Sequence, residues 1–244
     1  MRESGSVYAT HVAKDWKSVA LALASGLIFM TGFAVEAPAR VVPPHQVVGT
    51  ADVVDGDTID INGQRIRLEG IDAPEKAQVC TRRLFGTWKC GMAATKALWR
   101  MVKDKTVTCE RRGTDKYGRM LGVCYADGVE INRKMVRDGN AWAFVKYSDI
   151  YVAEETEART GKRGVFATDN QPPWDYRTRH WAYAKEQAPA GCAIKGNVTR
   201  NGRIYHMPWS PFYDRVAIDG ARGERWFCSE QEALAAGWRP AGGS

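Results

Sequence analysis

Five charged residues between positions 55 and 75 have the types and spacing needed for chemistry on a phosphate ester. Asp55 and Asp57 open this stretch, Asp72 and Glu75 close it, and Arg67 lies between them. Carboxylates that are brought together repel one another unless a cation or a proton lies between them. Hard divalent ions prefer oxygen ligands, and an arginine fork matches a phosphate group. The stretch therefore predicts a small site for a divalent ion and a phosphate.

A β-hairpin would bring these residues together. Thr58–Ile61 and Arg65–Leu68 each alternate apolar with polar side chains, and Asn62-Gly63 is a pair typical of tight hairpin turns. Because a tight hairpin places its two ends side by side, we expect Asp57 and Asp72 to share one site. Asp-Gly is also an ordinary turn pair, so each acid by itself could be a turn residue without further function.

Three separated motifs in this region resemble those of the staphylococcal (thermo)nuclease family. They are D-G-D-T at 55–58, R-L-x-x-I-D-x-P-E at 67–75 and T-D-K-Y-G-R at 114–119. Three motifs in the right order are a more specific signal than a single short pattern. The resemblance covers roughly residues 48–168 and implies an OB-fold barrel that carries three helices.

The resemblance also implies chemical roles for the matched positions. Asp57 and Asp72 would bind calcium (Ca2+), together with the backbone carbonyl of Ala73. An alanine at position 73 replaces the usual threonine, which is harmless if only the carbonyl is used. Glu75 would accept a proton from the attacking water, and two arginines would clamp the phosphate. The catalytic positions implied in this way are Arg67, Glu75 and Arg119.

Substrate contacts are implied for three further residues. Lys116 and Tyr117, in the third motif, and Tyr147 match positions that face the nucleotide in the family. Aromatic stacking tolerates any base and so carries little sequence preference. For Tyr147, an ordinary packed or surface tyrosine is an equal alternative.

The first 39 residues have the features of an export signal. Three basic residues precede the uncharged run from Val19 to Val35, and Ala37-Pro38-Ala39 follows it. As a helix, this run would be about 25 Å long, slightly short for a bilayer core. We expect a signal peptide or, alternatively, an uncleaved N-terminal membrane anchor. In both cases the rest of the chain would be exported, to the periplasm or beyond.

Six cysteines follow this leader and support export. Val107–Glu110 and Leu121–Tyr125 flank a turn, and counting outward from its centre places Cys109 opposite Cys124. We expect this pair and, in addition, the disulfides Cys80–Cys90 and Cys192–Cys228, although six cysteines allow fifteen pairings. A zinc site in the tail is the alternative, with Cys192, Cys228 and His206 as its only ligands.

The periodicity of apolar residues predicts a mainly β fold with helices, of the α+β class. It predicts a first strand over 46–54 and helices over 91–103, 131–138 and 148–162. Together with the two hairpins, this suits a five-stranded closed barrel. We expect a nuclease-like OB-fold domain over 46–169, a linker or helix over 170–190, and a small disulfide-stapled C-terminal module over 191–241.

The net charge of +7 favours a polyanionic partner, although a solvated basic face is the simpler explanation. We predict an exported calcium-dependent nuclease, expected to be a monomer, that cleaves DNA and RNA with little sequence specificity. The alternative is a non-catalytic OB-type binder of nucleic acid or of an acidic exopolysaccharide in the cell envelope, which the C-terminal module could contact. A pure binder has no need of Glu75, and the chain has no G-x-S-x-G motif for a serine hydrolase.

Overall fold

The computed structural model describes residues 45–241. Its strands, in chain order, are β1 (Gln46–Gly49), β2 (Ala51–Val53), β3 (Thr58–Ile61), β4 (Gln64–Leu68), β5 (Ile71–Asp72), β6 (Cys80–Thr81), β7 (Thr87–Trp88), β8 (Val107–Thr114), β9 (Met120–Ala126), β10 (Val129–Glu130), β11 (Trp142–Ala143), β12 (Ile194–Thr199), β13 (Gly202–His206), β14 (Arg225–Phe227) and β15 (Arg239–Pro240). Its helices are α1 (Cys90–Val102), α2 (Ile131–Arg137), α3 (Val152–Thr160), α4 (Pro173–Gln187) and α5 (Glu230–Ala235). The leader expected over 1–39 lies outside the described residues.

The barrel is formed by six strands: β1, β2, β3, β4, β8 and β9. Their pairing order is β1-β8-β9-β4-β3-β2, and β1 and β2 are one stretch of chain interrupted at Thr50. This stretch therefore pairs with β8 at one end and with β3 at the other, which leaves no free sheet edge. Counting it once gives five strands, so the predicted five-stranded OB barrel is confirmed.

The predicted hairpin is formed by β3 and β4. Asn62 and Gly63 both adopt positive φ angles, 55° and 80°, as a two-residue hairpin turn of this kind requires. Thr58 pairs with Arg67 in the register of the two strands. Apolar side chains on the inner face of the hairpin are fully buried: Ile59, Ile61, Ile66 and Leu68. Period-two alternation thus sets which face of the hairpin enters the core.

Three helices cover the barrel, as predicted. Helix α1 buries Ala94, Leu98 and Val102 against the core, with Ala97 and Met101 partly buried beside them. The prediction for α3 was wrong at its start, because the helix begins at Val152 instead of residue 148. Tyr151 is buried, its hydroxyl donates to Glu130 (2.7 Å), and its backbone is not helical (φ −118°, ψ 14°). The helix therefore begins only after it.

Three disulfides join the six cysteines in the predicted pairs. Cys109 and Cys124 are register partners of β8 and β9 and are bonded to each other. Cys80 is bonded to Cys90, and Cys192 to Cys228. The last pairing consumes the two thiolates that a zinc site in the tail would need, so the zinc alternative was wrong. Three disulfides are typical of extracellular or periplasmic proteins.

The C-terminal residues form a small sheet of their own. Its strand order is β14-β12-β13-β15, and Ile194, Tyr205, Phe227 and Trp238 are buried between the sheet and α5. A capping motif begins α5: the Ser229 hydroxyl accepts from the Glu232 N–H (3.1 Å). The division of the chain into domains near residues 170 and 190 stays a prediction.

Within residues 45–241, no helix is both long enough and apolar enough to cross a membrane.

Glu224 provides a test of how the C-terminal sheet is stabilised. Its carboxylate accepts from the backbone N–H groups of Asp219 and Val198, each at 3.0 Å, and the Asp219 bond is the main reason that its pKa is lowered. A carboxyl group with a lowered pKa stabilises the fold above its unfolded-state pKa, and this stabilisation is lost as the pH falls. We expect Glu224→Gln to lower the free energy of unfolding by about 1–2 kcal/mol at neutral pH.

Urea denaturation of wild type and variant at pH 7 and at about pH 3.5 would measure this difference. Glu186→Gln, an exposed site on α4, is the control and should change little at either pH. If Glu224→Gln lowers the free energy of unfolding equally at both pH values, the role of the ionised carboxylate is contradicted.

Candidate active site

The two ends of the β3–β4 hairpin meet at Arg67. Its guanidinium binds the Asp72 carboxylate (Nη2–Oδ1, 2.9 Å) and forms a second ion pair with Asp57. Both carboxylates are buried, with 3% of Asp57 and none of Asp72 exposed. The register of the hairpin explains the contact, because Arg67 lies opposite Thr58 and the Leu68 N–H donates to the Asp57 carbonyl (2.8 Å).

Asp57 is fixed by bonds from the far end of the stretch. Its Oδ2 accepts from the Ala73 N–H (2.7 Å), and its own N–H donates to Asp55 Oδ1 (3.1 Å). A Cβ at Gly56 would come within 2.7 Å of the Ala73 side chain and 3.0 Å of that of Ala94. Glycine at this position is therefore required for the first motif to approach the second.

Glu75 lies beside this pair, in a loop held by side-chain bonds. Its N–H donates to Gln78 Oε1 (3.2 Å), and Gln78 Nε2 donates to the Gln171 carbonyl (2.7 Å). Helix α1 presses on the same loop, since a Cβ at Gly91 would lie 1.7 Å from the Glu75 carbonyl oxygen. Burial raises the pKa of Glu75 to about 7, and Arg177 opposes this rise. A carboxyl group near neutrality is suited to proton transfer.

Arg177, on α4, contacts the same carboxylates and was not predicted. Its Nη1 and Nη2 bind Asp72 Oδ1 (3.0 Å) and Oδ2 (2.7 Å), and Nη1 also binds Glu75 Oε1 (2.7 Å). The sequence shows an aromatic and basic stretch after Pro172-Pro173. That pattern alone does not say which of its basic residues turns toward the barrel.

Burial and ion pairing oppose each other throughout this cluster. Burial raises the pKa of Asp57, and Arg67 counteracts it. Burial alone would lower the pKa of Arg67 and of Arg177, but the carboxylates around them raise both values above normal. Both guanidinium groups therefore stay charged. With Asp55, which adjoins Asp57, the carboxylates of the cluster outnumber its two guanidinium groups.

The third motif lies apart from these carboxylates. Arg119 Nε binds Asp115 Oδ2 (2.7 Å), and its guanidinium lies 5.4 Å from the centre of the Tyr117 ring. Lys116 Nζ is 4.8 Å from the centre of the same ring. Burial raises the pKa of Tyr117, with Glu230, the first residue of α5, as a further cause. The structure thus places Arg119 in an ion pair within its own turn instead of at Asp57 and Asp72.

An open cavity of ≈ 680 Å³ lies next to Arg177. It is lined by Lys116, Phe144, Val145, Lys146, Trp174, Arg177 and Thr178. Phe144 and Trp174 stack with ring centres 5.6 Å apart at 14°. Tyr147 is 74% exposed, and its ring packs edge-on against that of Phe144 with ring centres 4.9 Å apart. Basic and aromatic side chains in one cavity of this size suit a nucleotide.

The residues around Asp57 offer oxygen atoms to a divalent ion, but a guanidinium lies among them. A cavity of ≈ 10 Å³, the size of one water molecule or ion, is lined by Asp55, Gly56, Asp57, Arg67, Ala73, Pro74 and Glu75, and Asp72 is not part of this lining. In the described part of the chain, no three acidic, histidine or cysteine side chains converge as a full ligand set. The donor chemistry fits an ion held by two carboxylates, a carbonyl and water, once Asp72 releases a guanidinium.

Two family models match the chain. The model described as "Staphylococcal nuclease homologue" matches residues 65–168, which include the hairpin strand β4, the carboxylates Asp72 and Glu75, and the third motif. The model described as "ArfC" matches residues 176–240, which include Arg177 and the C-terminal sheet.

Several curated proteins are similar over most of their own length. An "Uncharacterized endonuclease" of Escherichia coli O157:H7 is 42% identical over 135 residues, 52% of this chain and 82% of that protein. A "Micrococcal nuclease" of Shigella flexneri is 36% identical over 51% of this chain and 76% of its own. The "Succinoglycan biosynthesis protein ExoI" of Rhizobium meliloti (strain 1021) is 34% identical over 66% of this chain and 74% of its own.

Removing Arg67 would leave two buried carboxylates without their shared partner. In the presence of a chelator, we expect Arg67→Ala to lower the free energy of unfolding by about 3–5 kcal/mol, the usual cost of breaking a buried ion pair. Arg65→Ala is the matched control on the same strand, since Arg65 is more exposed and lies 3.7 Å from Asp60. The control should lose less than about 1 kcal/mol.

Chemical denaturation of the three proteins in chelator would measure these losses. Equal losses in Arg67→Ala and Arg65→Ala would show that the shared guanidinium is not what holds the hairpin ends together.

Proposed function

The chain belongs to the staphylococcal nuclease family, and from this premise we propose that it is an exported calcium-dependent nuclease. Family membership and the relatives named as nucleases support phosphodiester hydrolysis as its reaction. We further propose that it cleaves both DNA and RNA, with little sequence preference. The observation that carries this proposal is the single guanidinium of Arg67 between two buried carboxylates, with Glu75 beside them.

Phosphodiester hydrolysis needs a neutralised phosphate, an activated water and a stabilised leaving oxygen. Asp57, Asp72 and the Ala73 carbonyl would hold the calcium ion. A bound calcium ion supplies positive charge to the phosphate and orients a water molecule. The Arg67 fork binds the phosphate oxygens in two places and stabilises the negative charge that grows in the transition state.

Glu75 is proposed as the general base. The bond between its N–H and Gln78 and the contact of its carbonyl with Gly91 fix the loop that presents its carboxylate. Burial makes this carboxyl group more basic than an exposed one, so it accepts a proton from water more readily at neutral pH.

Substrate contacts outside the cluster are proposed for the third motif and the large cavity. Lys116 and Tyr117 would contact the nucleic acid backbone and a base, and Tyr147 offers an exposed ring for stacking. Arg119 would join them as a phosphate contact after leaving Asp115. Contacts with phosphate carry no sequence information, which accounts for low specificity.

Export and chain organisation are further parts of the proposal. The three disulfides support a periplasmic or secreted protein. We propose that the protein acts as a monomer and that residues 191–241 form a module that contacts the cell envelope.

Calcium-dependent digestion tests the nuclease directly. The purified protein should cleave single-stranded DNA with calcium and stop in chelator, leaving 3′-phosphate ends. Glu75→Gln should lower kcat by about 10²–10⁴-fold because the general base is lost, whereas Glu69→Gln, outside the cluster, should not. Gel assays with end-group analysis of the products would measure both. The nuclease assignment fails if calcium has no effect, or if Arg67→Ala cleaves as fast as wild type.

A second candidate is a binder of acidic exopolysaccharide. It is favoured by the 34% identity to a relative named as a succinoglycan biosynthesis protein and by the net charge of +7. An acidic polysaccharide titrated against labelled DNA in one competition assay, in chelator, separates the two. Displacement of DNA at low polysaccharide concentration, together with an inactive wild type, would favour the binder.

A further inference from the structure

We propose that Arg177 binds the substrate phosphate, as a guanidinium of the active site additional to Arg67 and Arg119, and that helix α4 supplies it from outside the nuclease barrel. This role rests on the proposed nuclease function and deepens it by one residue. Arg177 follows the last residue of the nuclease family model, residue 168, and falls within the second matched region, 176–240.

Arg177 contacts the carboxylates and also lines the large cavity. Its guanidinium lies within 2.7–3.0 Å of Asp72 and Glu75 oxygens. The same residue lines the cavity of ≈ 680 Å³ together with Lys116 and Trp174. A phosphate placed between the cavity and the acidic cluster would therefore meet Arg177. Its side chain is 22% exposed, so it is open to such a ligand on one side.

Helix α4 is held firmly enough to place Arg177. Trp174, one turn before it, stacks on Phe144 of the barrel. Gln78 links the Glu75 loop to the Gln171 carbonyl at the start of the helix. The contact of Arg177 with Asp72 and Glu75 is thus supported both at the helix and at the Glu75 loop. Little further ordering of these side chains is needed when substrate binds.

Arg119, the phosphate contact proposed for the third motif, is held at its own turn in this structure. Arg119 is paired with Asp115 through both its side chain and its backbone N–H (2.7 and 2.9 Å). Arg177 is the residue that lies beside Arg67 on Asp72. The two guanidinium groups approach one carboxylate and are placed to close on one phosphate.

In an alternative interpretation, Arg177 is a plug, a side chain that blocks the cation site by binding Asp72. The contacts of Arg67 count against this interpretation. Arg67 also binds two carboxylates, although it belongs to the second motif of the nuclease pattern. Contact with carboxylates is therefore how a phosphate-binding arginine of this site is held before substrate arrives. The two readings predict opposite effects of removing Arg177.

Arg177→Ala, Arg177→Lys and the control Arg179→Ala, exposed on the same helix, decide between them. With saturating calcium, Arg177→Ala should lower kcat/KM on single-stranded DNA by about 10²–10³-fold. Arg177→Lys should recover little of the loss, since a lysine lacks the two-pronged fork, and it decides the matter if Arg177→Ala does not fold. Arg179→Ala should stay close to wild type.

A binding measurement accompanies the assay. Affinity for a labelled oligonucleotide in chelator should fall in Arg177→Ala beyond any change in Arg179→Ala, with a salt dependence weaker by about 0.7 per lost phosphate contact. Wild-type cleavage and oligonucleotide binding by Arg177→Ala, or cleavage faster than that of wild type, would overturn the phosphate role, the latter in favour of a plug. If wild type itself does not cleave, the nuclease proposal fails, and oligonucleotide affinity alone decides the role of Arg177.

Discussion

Two buried carboxylates that share one guanidinium set the main constraint on this protein. Asp57 and Asp72 come from opposite ends of a hairpin, and without a cation between them their repulsion would force those ends apart. Arg67 supplies this cation from the strand between them. Under the proposed function, a phosphate would draw the guanidinium away and a metal ion would replace it, so the same balance would let the cluster take up further charge. Stability and chemistry thus depend on the same contacts.

The barrel supplies the rigidity that this balance requires. Its closure through the interrupted strand at Thr50 leaves the hairpin paired on both sides, so the ends of β3 and β4 cannot separate easily. Gly56 and Gly91 then allow the loop at Ala73 to Glu75 to be approached by the first motif and by helix α1 more closely than a side chain would permit. Beyond the barrel, Gln78 extends the support from the Glu75 loop to the start of α4. Each acid in the cluster is thereby positioned by backbone that has little room to move.

Local patterns in the sequence predict much of this arrangement. Alternation and Asn62-Gly63 define the hairpin, and counting from a turn pairs Cys109 with Cys124, because strand register is a local property. The start of α3 was missed because a tertiary hydrogen bond of Tyr151 overrides the local preference. Arg177 was missed for a similar reason. Its partners lie more than one hundred residues away in the chain, and a single basic residue in a basic helix gives no periodic signal. The sequence also does not specify that Arg119 pairs with Asp115 and not with another acidic residue.

The disulfide between Cys80 and Cys90 has a consequence for when the protein becomes active. It closes the segment between the Glu75 loop and helix α1, and Thr81 within it bonds to Asn170 just ahead of α4. In a reducing compartment this staple would be open, and the supports of Glu75 and Arg177 would loosen together. If the protein is the exported nuclease proposed above, the cell would hold it in a weakened form beside its own chromosome. Oxidation outside the cytoplasm would then complete it where the genome is out of reach.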